Sequence, residues 1–403
     1  MKRVIALFLA ALLQIAAATG CTQLENSKTA NTQPQNTLHK STQPQSTQSG
    51  STAAADRLHI ICTVFPQYDW VRQILGDKAE DFDITLLLDK RIDLHNYQPS
   101  VDDIVKISTS DLFIYVGGPS DGWVENVLRQ AINPNMVVIS LLNILGDGVK
   151  IEEIIEGMEH DDEGHGDDGD GHGDDDGHGV GDDDDDDGHG EGDDHDNGHE
   201  GEGDDHDNRH EGEGEGDDHD YGHEGEHDEH VWMSLQHAQT FCAVIADALS
   251  TLDAGNATVY YSNMIDYVQK LSDLDAEYQT VANDANVKTL LFGDRFPFRY
   301  LLDDYGISYY AAFPGCSAET EASFDTIVFL SGKMDEMDLR NIMVTESADQ
   351  SIARTIVSNT KEKNQQIHVL NAMQAVTAND IRSGASYLAI MESNLNVLKQ
   401  ALA

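Results

Sequence analysis

Histidine and acidic side chains are concentrated in one stretch of this 403-residue chain, residues 159–230. The stretch holds 13 of the chain's 18 histidines and 35 of its 74 acidic residues, with a single basic residue, Arg209. Neutral imidazole is the commonest protein ligand for zinc and also suits copper and nickel, while carboxylates add oxygen ligands and negative charge. The stretch therefore predicts weak and poorly selective binding of several divalent cations.

The same stretch repeats an eleven-residue unit, and Gly214-Glu215 interrupts the repeat once. Gly192–Glu202 reads GDDHDNGHEGE, Gly203–Glu213 reads GDDHDNRHEGE and Gly216–Glu226 reads GDDHDYGHEGE. These units lack an apolar face on which to stack, so we predict a disordered insertion. A solvated acidic spacer is the alternative, but aspartate alone would serve that purpose, so the histidines favour metal binding. The predicted accessory ligands are His160, His165, His172, His178, His189, His195, His199, His206, His210, His219, His223 and His227.

The N-terminus has the pattern of a bacterial secretory signal. A short basic start is followed by a mostly apolar run at 4–18, which is short for a membrane span, and small residues then lead to Cys21. A cysteine directly after glycine here resembles the lipobox of bacterial lipoproteins, in which that cysteine is lipidated. An ordinary signal peptide cut nearby is the alternative. We therefore predict a signal peptide at 1–20 and, at 21–56, lipidated Cys21 with a flexible tether rich in Ser, Thr, Gln and Asn.

Composition limits the classes of function that remain. A formal net charge of −50 argues against nucleic acid as a partner, because its phosphates are also negative. Without signal, tether and acidic insertion, about 275 residues of ordinary composition remain, which suits two α/β domains. The other cysteines, Cys62, Cys242 and Cys316, are an odd number and are too far apart for a disulfide framework or a structural zinc motif. Cys62 lies in an apolar run and is expected in the core.

Apolar runs alternate with segments of helical periodicity, which predicts βαβ units and mostly parallel sheets. One helical segment, Ala257–Val281, extends for ~37 Å and is long enough to join two lobes rigidly. The predicted strands are Leu58–Phe65, Phe82–Leu88, Asp111–Val116, Met136–Ser140, Val287–Phe292, Tyr305–Ala312, Ile342–Thr345 and Ile367–Leu370. The other predicted helices are Tyr68–Leu75, Val101–Ile107, Gly122–Ala131, Gln236–Leu252 and Tyr387–Ala401.

Two short motifs resemble the ligand motifs of the metal-binding receptors of ABC transporters. Asp93–Ser100 reads DLHNYQPS and looks like the first motif of this family. Asp228–Trp232 reads DEHVW and is similar to the family's Asp-Pro-His-x-Trp motif. The acidic insertion between the motifs and the long helical segment after them also occur in the family's order. The resemblance covers residues 58–403 and implies two α/β lobes joined by one helix, with the metal in the cleft.

The resemblance also implies a set of ligands. His95, in the loop after the second predicted strand, and His230, which ends the acidic stretch, are the expected imidazole ligands. Zinc members usually carry a third histidine, but Arg295 stands at that place. Arginine is always protonated and cannot bind a cation, so we expect Asp294 beside it to supply an oxygen ligand.

The fourth ligand implied by the resemblance is Glu346, which follows a predicted strand of the second lobe, with Asp349 as a substitute. Two imidazoles and two carboxylates do not separate the candidate ions, since imidazole suits zinc and carboxylates suit manganese. The histidine-rich insertion favours Zn²⁺ as the bound ion, with Mn²⁺ as the alternative.

The resemblance implies an extracytoplasmic receptor, anchored by lipid to the cell membrane, that hands zinc to a permease driven by an ATPase. We expect it to be a monomer. The alternatives are a metal buffer that works through its insertion and a manganese receptor of the same family.

No His-Glu-x-x-His, nucleophile elbow or phosphate loop is present, so we predict that the chain is not an enzyme. An adhesin role has been attributed to relatives, so the resemblance also implies cell adhesion as a further role. The predicted domains are an N-terminal lobe at 57–158 and 230–256, the insertion at 159–229, a linking helix at 257–284 and a C-terminal lobe at 285–403.

Overall fold

Two parallel β-sheets flanked by helices form the framework of the protein. The computed structural model describes residues 57–158, 226–317 and 321–403. The predicted signal peptide, the predicted tether and nearly all of the predicted insertion lie outside the described residues. Every strand pair within the two sheets is parallel. The predicted α/β fold with two sheets is confirmed.

Each sheet has four strands, and its strand order reverses at the central pair. The first sheet has the order β2-β1-β3-β4 and the second β6-β5-β7-β8. In such sheets, ligands bind beyond the carboxyl ends of the strands at the point of reversal. The strands are β1 His59–Cys62, β2 Asp83–Leu86, β3 Leu112–Tyr115, β4 Val137–Ser140, β5 Thr289–Phe296, β6 Ser308–Pro314, β7 Asn341–Thr345 and β8 Gln366–Leu370.

Eleven α-helices lie among the described residues, and the longest is α6, with 28 residues. It leads from the first sheet's lobe to the second, as the sequence predicts. Within the described ranges, none of the helices combines the length and the apolar character that a membrane span requires. The helices are α1 Phe65–Leu75, α2 Val101–Thr109, α3 Val124–Leu128, α4 Leu141–Leu145, α5 Leu235–Leu252, α6 Ala257–Asp284, α7 Arg299–Asp304, α8 Phe324–Glu336, α9 Ser351–Asn359, α10 Ala378–Arg382 and α11 Tyr387–Ala401.

The first helix begins earlier than the sequence predicts. The prediction of a strand through Phe65 is wrong, because β1 ends at Cys62 and Phe65 opens α1. Pro66 lies in the first turn of α1, where the missing N–H of proline costs nothing, so it starts the helix as well as ending the extended run. As a result, only two residues separate the carboxyl end of β1 from the first helix.

A continuous apolar core connects the two lobes behind the cleft. Trp70 of α1 packs edge-on against Tyr387 of α11, with ring centroids 5.2 Å apart. The Tyr387 hydroxyl donates to the carbonyl of Trp232 at 2.7 Å, and the Trp232 indole donates to the carbonyl of Ala372 at 2.9 Å. Cys62 is fully buried in this core, as predicted. The segment that carries the second predicted histidine ligand is therefore fastened to both lobes.

Candidate metal centre

Two histidines predicted as ligands meet in the cleft. His95 lies on the short 3₁₀ turn Leu94–Asn96 after β2, and His230 immediately precedes a second 3₁₀ turn, Val231–Met233. Their Nε2 atoms are 3.3 Å apart. Two nitrogens bound to one tetrahedral zinc at typical Zn–N lengths are separated by about 3.3 Å. The histidine pair therefore already has the spacing that zinc requires.

The proton of His95 is placed by its neighbours. Nδ1 of His95 lies 2.8 Å from the Ser120 hydroxyl oxygen and 3.2 Å from a carboxylate oxygen of Glu229. The Ser120 hydroxyl donates its own hydrogen to Glu229, so its oxygen accepts from His95 Nδ1. With the proton on Nδ1, the lone pair of Nε2 points to the cleft.

His230 is oriented in the same way by a different carboxylate. Its Nδ1 lies 2.9 Å from Asp228 Oδ1, and the Gln374 side-chain amide donates to its Nε2 at 2.8 Å. Burial disfavours the imidazolium, but the contacts with Asp228 and Glu229 outweigh it and raise the pKa of His230. A carboxylate behind each ring fixes the tautomer and makes the imidazole a better ligand.

A third donor, Cys316, comes from the second lobe. It follows β6, and its sulfur lies within 4.8 Å of the ligand atoms of His95 and His230. The Cys316 backbone N–H donates to Glu152 at 2.8 Å. Burial, reinforced by carboxylates including that of Glu152, raises the pKa of the Cys316 thiol. Across the described ranges, this is the one group of at least three His, Cys, Asp or Glu side chains that is spaced to hold a metal.

The spacing of the cysteines along the sequence did not reveal the position of Cys316. Cys316 clusters with two histidines and with no other cysteine, so distances between cysteines along the chain contain no trace of the site. A usable signal was present, because Cys316 closely follows the predicted strand Tyr305–Ala312, just as His95 follows a strand of the first sheet. Carboxyl ends of strands in facing parallel sheets approach the same cleft.

Asp294 and Asp349 lie outside this cluster. Oδ2 of Asp294 accepts hydrogen bonds from the Thr345 backbone N–H at 2.8 Å and from the Thr345 hydroxyl, which ties β5 to β7. Asp349 is exposed and accepts from the backbone N–H of Ser351 at 2.8 Å. Both aspartates line a cavity beside the histidine pair. Their roles as ligands remain predictions.

Glu346 faces backbone rather than the histidine pair. One of its carboxylate oxygens accepts from the N–H of Ala372 at 2.8 Å. The other accepts from the N–H groups of Gln374 and Ala375 at 3.0 and 3.2 Å. Glu346 thus holds the loop after β8, which carries the Gln374 side chain to His230. Its role as a ligand also stays a prediction.

Arg295 supports the cleft from the place where a third histidine was expected. Its guanidinium lies 2.8 Å from a carboxylate oxygen of Asp93. The other oxygen of Asp93 accepts from the His95 backbone N–H at 3.2 Å. Burial opposes ionisation, but His95 and Arg295 together lower the pKa of Asp93. Arg295 therefore stabilises the turn that carries His95.

Comparison with known proteins identifies the family. Residues 60–401 match the profile of the ZnuA family, described as the periplasmic component A of the zinc-uptake complex. The chain belongs to the ZnuA family. The family is one of extracytoplasmic receptors, and the resemblance stated from the two motifs is confirmed.

Among the relatives of this family member, the zinc-binding lipoprotein AdcA of Streptococcus pneumoniae is 26% identical over 355 residues. The match covers 87% of this chain but 57% of AdcA, so the chain spans little more than half the length of this relative. The high-affinity zinc uptake system protein ZnuA of Bacillus subtilis is 25% identical over 355 residues, covering 88% of this chain and 91% of that protein.

Solved structures show the same fold. The Zn(II)-bound ZnuA-like domain of Streptococcus pneumoniae AdcA has a TM-score of 0.57 and 22% identity, covering 86% of this chain and 99% of that domain. The metal-dependent lipoprotein YcdH of Bacillus subtilis has a TM-score of 0.59 and 23% identity, with the same two coverages. The predicted architecture of two lobes and one long helix is therefore confirmed.

Two glycines of this ZnuA-family chain allow the carboxylate and the imidazole to approach the backbone closely. Gly118 has a φ of +87°, and a Cβ there would lie 2.6 Å from Glu229 Oε1. A Cβ on Gly315 would lie 2.9 Å from the Phe296 carbonyl oxygen and 3.1 Å from Cε1 of His230. A larger residue at position 118 would displace Glu229, which orients His95, and one at position 315 would press on the ring of His230.

The buried carboxyl group of Asp121, next to the site, makes the stability of the folded protein depend on pH. It is buried, and Oδ2 accepts from the backbone N–H groups of Val116 and Gly117 at 3.0 and 2.8 Å. Burial, together with the charge of Glu229, raises the pKa of Asp121 to about 7. Because this pKa exceeds that of the unfolded chain, the folded state binds the proton more tightly. The stability gained at low pH is lost as pH rises through about 7.

Asp121→Asn should therefore reduce the fall in melting temperature between pH 5 and pH 8. We expect the wild type to lose a few °C more than the variant over this interval, measured by thermal unfolding with a metal chelator present. Asp325→Asn, an exposed change in α8, is the matched control and should follow the wild type. Equal losses in Asp121→Asn and the wild type would contradict the raised pKa.

Proposed function

We propose that this chain is an extracytoplasmic receptor that binds Zn²⁺ with high affinity and delivers it to an ABC permease. The observation that carries the proposal is the pair of Nε2 atoms 3.3 Å apart, on His95 and His230. Each imidazole has a carboxylate behind its other nitrogen, Glu229 for the first and Asp228 for the second. The family's description as a zinc-uptake component and the names of relatives support the same ion.

The position of the site suits capture and release. His95 and His230 lie on the side of the first sheet, and Cys316 and Gln374 follow strands of the second. An ion held by groups of both lobes is enclosed when they meet and loses ligands when they part. A carrier closes all coordination positions, whereas catalytic zinc keeps one open to water. We keep the prediction that the chain is not an enzyme.

The proposal extends to the parts of the chain outside the described residues. It includes the signal peptide at 1–20, the lipid on Cys21 and the tether at 21–56, which together would hold a monomeric receptor at the outer face of the membrane. Its partners are the permease and the ATPase of one transporter. The predicted division into lobes, insertion and linking helix is part of the same proposal.

The histidine-rich insertion supports a second candidate function, a metal buffer. It contains most of the chain's histidines, and its last residues rejoin the fold beside the site. The Glu152 N–H donates to the Glu226 carbonyl at 2.7 Å, and the Asp228 N–H donates to the Lys150 carbonyl at 2.9 Å. His227, the accessory histidine within the described residues, is exposed. Within the receptor proposal, the insertion raises the local zinc concentration next to His230.

Calorimetric zinc titration of two full-length proteins separates the receptor from the buffer. One is the wild type, and the other has the twelve predicted accessory histidines replaced by asparagine. We expect one tight site in both and loss of the weak sites in the variant, since the variant keeps His95 and His230. If the variant loses all binding, the insertion is the functional part and the receptor proposal is wrong. A parallel titration with Mn²⁺ tests the alternative ion.

A further inference from the structure

We infer that Cys316 supplies a thiolate ligand to the cation held by His95 and His230. The inference rests on the proposed function and specifies its ligand chemistry, two imidazoles and one sulfur. Sulfur from Cys316 and nitrogen from each histidine lie within 4.8 Å of one another. A tetrahedral zinc with typical bond lengths separates a nitrogen from a sulfur ligand by about 3.6 Å. Small side-chain rotations therefore suffice to close the sulfur onto an ion between the two imidazoles.

The backbone that carries Cys316 is held against the histidine pair. A Cβ on Gly315 would lie 3.1 Å from the His230 ring, so the absence of a side chain there lets the segment approach the imidazole closely. The Cys316 N–H is fixed by Glu152 at 2.8 Å, and the backbone of Glu229 forms a hydrogen bond with the thiol. These contacts hold the segment that brings the sulfur into one cluster with the two imidazoles.

The other charged candidates from the second lobe already have partners. Asp294 accepts from Thr345, and Glu346 accepts from three backbone N–H groups. Arg295 is a cation paired with Asp93. Of the second-lobe groups in the described residues that can become anionic ligands, Cys316 is the one within the histidine cluster.

A sulfur ligand changes the selectivity expected of the site. Thiolate and imidazole both suit zinc, whereas manganese prefers carboxylate, carbonyl and water oxygens. The Cys316 thiol loses its proton to solvent as the ion binds, and a dication bound by two neutral imidazoles and one thiolate keeps one positive charge. The Gln374 amide N–H₂ now donates to His230 Nε2, so a bound ion would displace this hydrogen bond, and a turn of the side chain would offer the neutral amide oxygen as the fourth ligand. The site should therefore discriminate strongly against Mn²⁺.

The first test uses Co²⁺ as a spectroscopic probe in the full-length protein that lacks the twelve accessory histidines, kept reduced. Binding of Co²⁺ should produce a thiolate-to-cobalt charge-transfer band, which imidazole and oxygen ligands do not give. Cys316→Ser should abolish the band, and Cys242→Ala, a change at a buried cysteine of α5, should retain it. A band that persists in Cys316→Ser, or no band in the parent protein, would overturn the inference.

Zinc and manganese affinities of the same variants provide the second readout. Cys316→Ser should lower zinc affinity at least about tenfold and reduce the preference for zinc over manganese by a similar factor. Cys316→His should restore zinc affinity without restoring the cobalt band, because it returns a nitrogen donor. Tight zinc binding that depends on His230 but not on Cys316 would refute the thiolate ligand and leave the receptor intact. Binding that is independent of both would refute the receptor itself.

Discussion

Replacing His230 with glutamine is expected to weaken Zn²⁺ binding by about a hundredfold or more. Loss of a group that only orients a ligand costs about 10–100-fold in metal affinity, and His230 is proposed as a ligand itself. The amide of glutamine is a poorer zinc donor than imidazole, and the change leaves Asp228 without the ring that it orients. Competition with a chromogenic zinc chelator, in the protein without accessory histidines, measures the affinity.

His237→Gln is the matched control for this variant. His237 lies on α5, seven residues further along the chain, and its Nδ1 lies 3.3 Å from the Val231 carbonyl oxygen instead of in the metal cluster. We expect its zinc affinity to stay within about threefold of the parent. Equal losses in His230→Gln and His237→Gln would indicate a general effect on folding and would contradict the assignment of His230.

The two histidines were predictable because each belongs to a short motif that carries its own local structure. The partners that orient them were not all predictable. Asp228 serves His230, two residues away, but Glu229 serves His95, which comes from a different part of the chain. Which of two adjacent carboxylates faces which imidazole depends on the path of the backbone through the cleft. Sequence spacing contains no information on that path.

The strands were predicted better than the helices. All eight strands exist because each is a short apolar run bounded by turn residues, and their ends differ from the prediction by a few residues. The helix α8 was missed, although Ser323 caps it by accepting from the Thr326 N–H. Its β-branched residues and the interior Gly332 weaken the helical signal, and Phe324 is largely exposed. Packing against the sheet stabilises it where local propensity does not.

The second lobe's ligands were the least predictable part of the site. A carboxylate after a strand is a reasonable metal ligand, but loops that enter a cleft also leave backbone N–H groups in need of acceptors. In this protein Glu346 meets three such groups, and Asp294 meets one together with a hydroxyl. Loop conformation decides whether such a carboxylate binds a metal or accepts from backbone N–H groups. Sequence patterns do not predict that conformation.

Glu346→Gln should therefore lower the free energy of unfolding substantially and zinc affinity only modestly. The carboxylate accepts from Ala372 through one oxygen and from Gln374 and Ala375 through the other. Glutamine keeps one acceptor oxygen and turns an amide N–H₂ toward a backbone N–H, which leaves at least one donor without a partner. Hydrogen bonds to charged groups contribute about 1.5–3 kcal/mol each, so we expect a loss of about 2–4 kcal/mol. Urea unfolding in the presence of a chelator measures this free energy.

Glu362→Gln, at an exposed glutamate beyond α9, is the control and should unfold like the wild type. Zinc affinity distinguishes the two roles of Glu346. If Glu346 only holds the loop that positions Gln374, the folded variant should lose about tenfold or less in zinc affinity. The loss stays modest because His230 keeps its own carboxylate partner, Asp228. Unchanged stability combined with a loss of tight zinc binding would instead make Glu346 a ligand, as the family resemblance implied. The loop after β8 would then be held by its packing against Trp232 and Asn394, whose side chains also hydrogen-bond to it.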